Sequence, residues 1–204
     1  MYSRKRPPNS GPFFFAAREK YPWHPWFIKA EKIEPCPDRG AESDERMRNI
    51  VVKTERLRVV CAGAEEFRAL YDEKSDGGMK QAYGEMLEAM RKLPGREEWG
   101  SYWKICLASG AQVGGLCFKG APGAEGSVEI GYGIDEAHRG NGYATEAVRG
   151  VIKWASEQDG VRCVTAQTDE DNDASRKVLL NSGFLRSGRG DEGPLYKIVF
   201  VSPR

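Results

Sequence analysis

Val128-Glu129-Ile130-Gly131-Tyr132-Gly133-Ile134 alternates apolar and other residues, and shortly afterwards the chain turns through His138-Arg139-Gly140-Asn141-Gly142-Tyr143-Ala144 into a helical pattern. A strand followed by a glycine-rich turn and a helix has a definite electrostatic consequence. The first turn of the helix leaves several backbone N–H groups without partners, and the macrodipole adds about half a positive charge there. Glycines take positive φ and admit close approach of a ligand. Together these features predict a cradle for a diphosphate. A glycine-rich turn with no ligand is the other reading of the same residues. Two standard phosphate motifs are absent: there is no G-x-x-x-x-G-K-[ST], and the position that would complete G-x-G-x-x-G after Gly140 holds Thr145.

Outward from this segment the chain reads as one α/β domain beginning near Ile50. IVVKTERLRVVCA predicts a strand at 57–61. WGSYWKICLA, VGGLCFKG and SVEIGYGI read as three further strands, with Ser109-Gly110 as the tight turn between the first two. AEEFRALYDEK and MKQAYGEMLEAMRKL carry apolar residues at helical spacing, and Pro94-Gly95 ends the second. Its methionine face (Met79, Met86, Met90) reads as core. Beyond the glycine loop come a helix over about 143–158, a strand VRCVTAQT, a helix over 174–181, and a closing pair GFLRSGR and LYKIVFV. No internal repeat is visible.

Composition narrows the class. The 204 residues are 40% hydrophobic and 30% charged, and net charge is +1, so a chain-wide nucleic-acid binder is disfavoured. No apolar run approaches the roughly 18 residues of a spanning helix, so no membrane segment is expected. The five cysteines are odd in number and none is paired as C-x-x-C, which fits reduced thiols in a cytoplasmic protein better than a disulfide framework. His24 and His138 are far apart, so no metal site is expected. Neither serine context nor histidine supply suggests a hydrolytic triad.

Residues 1–50 differ from 51–204. The first 29 carry six basic residues against Glu19 alone, with prolines and eight aromatics interleaved. A strap packed on the domain or on a partner, a loosely ordered extension, a targeting role and an RNA contact are the readings open there. Phe13–Ala17 is too short for the core of a secretory signal.

The ordered residues Arg139, Gly142 and Ala144 match the acetyl-coenzyme A loop Q/R-x-x-G-x-G/A of the GCN5-related N-acetyltransferase (GNAT) superfamily, which this sequence resembles. VEIGYGI looks like that family's splayed fourth strand. Asn172-Asp173-Ala174-Ser175-Arg176 and Leu179-Leu180-Asn181-Ser182-Gly183-Phe184 resemble its N-x-x-S…L-x-x-x-G-F segment, in wording nearest the ribosomal-protein alanine and serine N-acetyltransferases. The likeness spans roughly residues 54–188.

The resemblance implies a GNAT fold: a mixed, mostly antiparallel sheet of six to seven strands splayed at the fourth, with about four flanking helices. It implies an acyltransferase that moves the acetyl group of acetyl-CoA to a primary amine by direct attack in a ternary complex. The acceptor is a protein N-terminus or a small amine, and a homodimer is compatible. It assigns coenzyme binding to Ile134, Arg139, Gly140, Asn141, Gly142, Tyr143, Ala144 and Asn172, with the amides of Gly131–Ile134 along the pantetheine arm. It makes Glu129 the proton acceptor and Ser175 the donor to the leaving thiol, where many relatives have a tyrosine and this chain has Leu179 and Leu180. Tyr132 is a second donor candidate. Bland alternatives stand beside these: a solvent-facing Glu129, and helix-capping roles for Asn172 and Ser175. Trp99 and Trp103 line an acceptor channel or pack in the core, with Tyr71–Tyr83 and Asp191–Pro194 as further acceptor-side segments. A catalytically silent acyl-CoA-binding module with a partner-binding strap is the competing function.

Overall fold

A computed structural model of the chain describes residues 50–63, 65–66, 84 and 86–200. The expectations for the extension, for Tyr71–Tyr83 and for most of the first two helices lie outside the described residues. Helical residues 86–91 are the visible end of the second helix, and Met86 and Met90 are buried, as a core face requires.

Eight strands form one sheet: β1 (Val51–Lys53), β2 (Leu57–Cys61), β3 (Tyr102–Leu107), β4 (Gln112–Phe118), β5 (Ser127–Ile134), β6 (Cys163–Gln167), β7 (Leu185–Gly190) and β8 (Gly193–Val199). Their spatial order is β1-β2-β3-β4-β5-β6-β8-β7. Every pairing is antiparallel except β5 with β6. The eighth strand corrects the expected six to seven. The strand expected at 57–61 is β2, and the unforeseen β1 pairs with it as a hairpin, because the chain reverses at Thr54–Arg56. Thr54 closes that turn: its amide donates to Leu57 O at 2.9 Å and its Oγ1 accepts from Leu57 N at 3.1 Å.

Helix α1 (Tyr143–Ser156) joins β5 to β6, as a parallel pair needs. Ala147, Val148, Val151, Ile152 and Ala155 form its buried stripe against the sheet. Helix α2 (Asp173–Asn181) sits beside α1, buries Ser175 and Leu179, and is capped by Asn172. Trp99, Trp103, Phe118 and Trp154 meet on the α1 face with ring centroids 4.6–5.9 Å apart. Trp99 and Trp103 are 3% and 0% exposed, so they are core and not channel lining. Cys61, Cys117 and Cys163 are buried free thiols.

The sheet splays between β5 and β6. Their pairing covers only Ser127↔Cys163, Val128↔Val164 and Glu129↔Thr165, while β5 continues unpaired on that edge to Ile134 and β6 pairs along its whole length with β8 on its other edge. On its other edge β5 stays paired with β4 as far as Gly114↔Ile134. That close pairing depends on Gly114, where a Cβ would stand 2.2 Å from Gly133 O and 3.0 Å from Ile134 Cα.

Candidate active site

The splay and the mouth of α1 make one crevice. Lys119 N donates to Glu129 O at 2.8 Å and Asp135 N to Val113 O at 2.9 Å. In an antiparallel ladder alternate residues face the partner strand. The amides of Tyr132 and Ile134 therefore aim away from β4, into the splay, while that of Ile130 faces β6 where the two strands are still paired. At the head of the splay lies the glycine loop. Gly142 is the N-cap of α1 in the left-handed region, φ 78°, and Gly140 has the same φ with nothing within 4 Å of a built Cβ. Residues 139–142 are exposed, so the helix mouth opens outward. A diphosphate fits this cradle on three counts: open space over glycine, helix N–H groups, and an adjacent strand edge that can pair with an extended amide-bearing arm.

The expected loop residues hold the loop's own shape. Arg139 Nε donates to Ile134 O at 3.1 Å, tying the loop to the end of β5. Asn141 Nδ2 donates to His138 O and Arg139 O, each at 3.1 Å. Tyr143 and Ala144 are half-buried at the start of α1, against the core. Asn172 accepts from Ser175 N at 3.0 Å, which is the capping role.

Ser175 is 6% exposed, and its Oγ lies 3.0 Å from the Tyr132 hydroxyl. The Tyr132 hydroxyl also lies 3.2 Å from Ser175 O, which accepts from it. Burial pushes the Tyr132 hydroxyl well above its ordinary pKa, so it stays protonated, although its bond with Ser175 opposes the shift. The two donor candidates of the sequence are thus a single hydrogen-bonded pair.

Glu129 lies on the opposite face of β5, since adjacent residues alternate and Tyr132 shares the α1 face with Ile130. It is not simply solvent-facing: its side chain is 24% exposed and firmly held. Lys119 Nζ approaches Glu129 Oε1 at 2.6 Å and Glu192 Oε1 at 2.6 Å. Gln167 Nε2 donates to the two Glu129 oxygens at 3.0 and 3.2 Å, and Gln167 Oε1 accepts from Glu192 N at 3.1 Å. Burial alone would lower the Lys119 pKa, but hydrogen bonds to Glu129 and Glu192 reverse this and raise it. The lysine is therefore charged, and the pair of carboxylates around it is oriented. Lys119, Gln167 and Glu192 come from three separate strands or turns, and of the three only Glu192 falls in a segment, Asp191–Pro194, that the sequence analysis singled out.

Arg56 and Glu146 lie outside the motifs read from the sequence. Glu146 Oε1 accepts from Thr54 Oγ1 at 2.6 Å and from Arg56 N at 2.7 Å, and its Oε2 accepts from Arg56 Nε at 2.7 Å. Burial would raise the Glu146 carboxyl, but these donors outweigh it and hold its pKa below the usual value. A carboxyl depressed in the folded state adds stability that is complete above the unfolded pKa and disappears as pH falls through the lowered folded value. Glu146→Gln is thus expected to be less stable than the wild type near neutrality, with the gap closing below about pH 4. Urea unfolding across that range checks this, and an equal gap at both ends would contradict it. No group of side chains among the described residues is arranged to hold a metal ion, and no described helix is long and apolar enough to cross a membrane.

A family model described as an acetyltransferase (GNAT) domain matches residues 47–185. An uncharacterized N-acetyltransferase of Bacillus subtilis, YjdG, is 38% identical over 80 residues, 39% of this chain and 48% of that protein. The ribosomal-protein-serine acetyltransferase of Escherichia coli is 29% identical over 76 residues, 37% of this chain and 42% of its own length. These alignments therefore span about half, or less, of the relatives. Among solved structures, the ribosomal-protein-S5-alanine acetyltransferase of Vibrio fischeri superposes with TM-score 0.60 at 15% identity, covering 74% of this chain and 97% of that one. RimL, a ribosomal L7/L12 alpha-N-protein acetyltransferase in complex with coenzyme A, superposes with TM-score 0.56 at 17% identity, covering 73% and 97%. At such identity these two likenesses show a shared fold.

Proposed function

The chain belongs to the acetyltransferase (GNAT) family, and from that premise we propose that it transfers an acetyl group from acetyl-CoA to a primary amine, with a protein N-terminus as the acceptor. The splayed strand ending in an open helix mouth is the observation that carries this reading. The acceptor class leans on the ribosomal-protein acetyltransferases among its relatives and fold neighbours. A cytoplasmic setting goes with it.

The bound coenzyme supplies an acyl thioester, whose acetyl group passes to the amine as the thiol leaves. The residues then divide the work. Helix-mouth amides at Gly142–Ala144 bind the diphosphate, and the β5 edge at Tyr132–Ile134 aligns the arm and polarises the carbonyl. Glu129, oriented by Lys119 and Gln167, receives the amine's proton through a water molecule. Ser175, held by Tyr132, donates a hydrogen bond that stabilises the departing thiolate. Because Glu129 and Ser175 flank β5 from opposite faces, proton acceptance and hydrogen-bond donation occur at opposite ends of the reaction axis.

Thermal unfolding with acetyl-CoA, followed by thiol release over panels of free amines and N-terminal peptides, tests the proposal. The expected result is a raised melting temperature and turnover on peptides with free N-termini. Absence of any stabilisation by acetyl-CoA would refute it. Stabilisation without turnover on either panel would favour a silent acyl-CoA-binding module instead.

A further inference from the structure

Arg56 stands outside every sequence motif, in the turn between β1 and β2, yet it overhangs the helix mouth. Its Nη2 lies 3.5 Å from the position a Cβ would take on Gly142, the residue that opens α1. Its Nη1 donates to Asn141 O at 3.1 Å, and its guanidinium lies 5.0 Å over the Tyr143 ring. Nε and the backbone amide are committed to Glu146. The contacts of Nε, Nη1 and the ring face fix the plane of the guanidinium, and none of them uses Nη2. Glu146 is anchored in turn by Thr54. α1 lies tightly over this hairpin, since a Cβ on Gly150 would stand 2.8 Å from Thr54 Cγ2 and 3.0 Å from Val52 Cγ1.

A long arginine side chain at a surface normally samples many rotamers, and ordering it has an entropic cost. Here three side-chain contacts have already ordered it, with one N–H edge directed at the place where the loop amides gather. The guanidinium also brings a positive charge to the loop, where Arg139 has its own Nε spent on Ile134 O. The chemistry that matches a fixed, planar donor edge beside helix amides is a phosphate oxygen.

We propose that Arg56 recognises the coenzyme's diphosphate through Nη2, with Glu146, Asn141 and Tyr143 holding it in position. This rests on the acetyl-CoA reading above and extends it to a residue of the first hairpin.

Calorimetry with coenzyme A on the wild type and on Arg56→Gln tests it. At about 50 mM NaCl the variant is expected to bind about tenfold more weakly, the loss of one charge-assisted hydrogen bond. That gap should narrow as salt rises to about 500 mM, because screening weakens the wild-type contact. A gap below twofold at low salt overturns the proposal. So does a gap that does not change with salt, since that marks a residue that only shapes the loop. Arginine-selective labelling of the wild type with phenylglyoxal, read by mass spectrometry, needs no variant to fold. Coenzyme A is expected to slow modification of Arg56, which is 47% exposed when free. An unchanged rate at saturating coenzyme A would overturn the proposal. Wild-type protein that binds no coenzyme A at all would fail the parent reading instead, so the two failures are distinguishable.

Discussion

Replacing Glu129 by Gln is expected to lower turnover by about 100- to 1000-fold while leaving coenzyme A affinity within about twofold. The change is nearly isosteric. The amide oxygen can still accept from Lys119 and Gln167, so the local network keeps its shape. What disappears is a group able to take a proton, and that is required only in the chemical step. Glu192→Gln is the matched control, because Glu192 shares Lys119 but lies on the β7–β8 turn and not on β5. Its turnover should fall by no more than about tenfold. Thiol release on whichever peptide or amine of the panel responds, with calorimetry on the same preparations, measures both. Turnover of Glu129→Gln within threefold of the wild type would remove Glu129 from proton transfer. A comparable loss in both variants would transfer the role to the carboxylate pair as a unit.

Gly114→Ala should destabilise the fold by about 3 kcal/mol, a large effect for a single methyl group. The added carbon would meet Gly133 O at 2.2 Å, and that atom is backbone. No rotamer change relieves such a contact, so β4 and β5 must move apart. Gly114 is also paired with Ile105 on β3 beside the bulge between Ile105 and Cys106, so the strain reaches both neighbours. The displaced residue Ile134 is where Arg139 fastens the loop, and coenzyme affinity should fall together with stability. Urea unfolding gives the first quantity and calorimetry the second. Gly123→Ala, with nothing within 4 Å of a built Cβ, should stay within about 0.5 kcal/mol of the wild type. A Gly114→Ala midpoint equal to that control would show that the strands are not as tightly joined as described.

What could be read from sequence was the chemistry that sits close together along the chain. Gly140 and Gly142 with the following amphipathic helix declare a positive-φ loop and a helix mouth within a few residues, and both are present. Val128, Ile130 and Tyr132 alternate, so β5 and its buried face were legible, and the capping reading of Asn172 needed only Ser175 three residues on. The β1–β2 hairpin was not legible, because Thr54-Glu55-Arg56 contains none of the glycine, proline, asparagine or aspartate that usually marks a turn. A threonine hydroxyl closes it instead. The setting of Glu129 was hidden for a different reason. Lys119, Gln167 and Glu192 reach it only after the sheet has assembled, across separations that no local pattern encodes. Glu146 shows both behaviours: its place in the first turn of α1 follows from the dipole, but its three donors come from a segment ninety residues upstream.

Glu129 and the Tyr132–Ser175 pair look out from opposite sides of one strand. On the proposed reaction, the two reactants come in by separate doors and meet in the gap of the sheet, so neither has to vacate the other's path. A bisubstrate inhibitor built for this protein would therefore lie through the sheet like a rivet, its nucleotide head on the helix side and its peptide head on the other, and the narrow shank between them would set how long its linker must be.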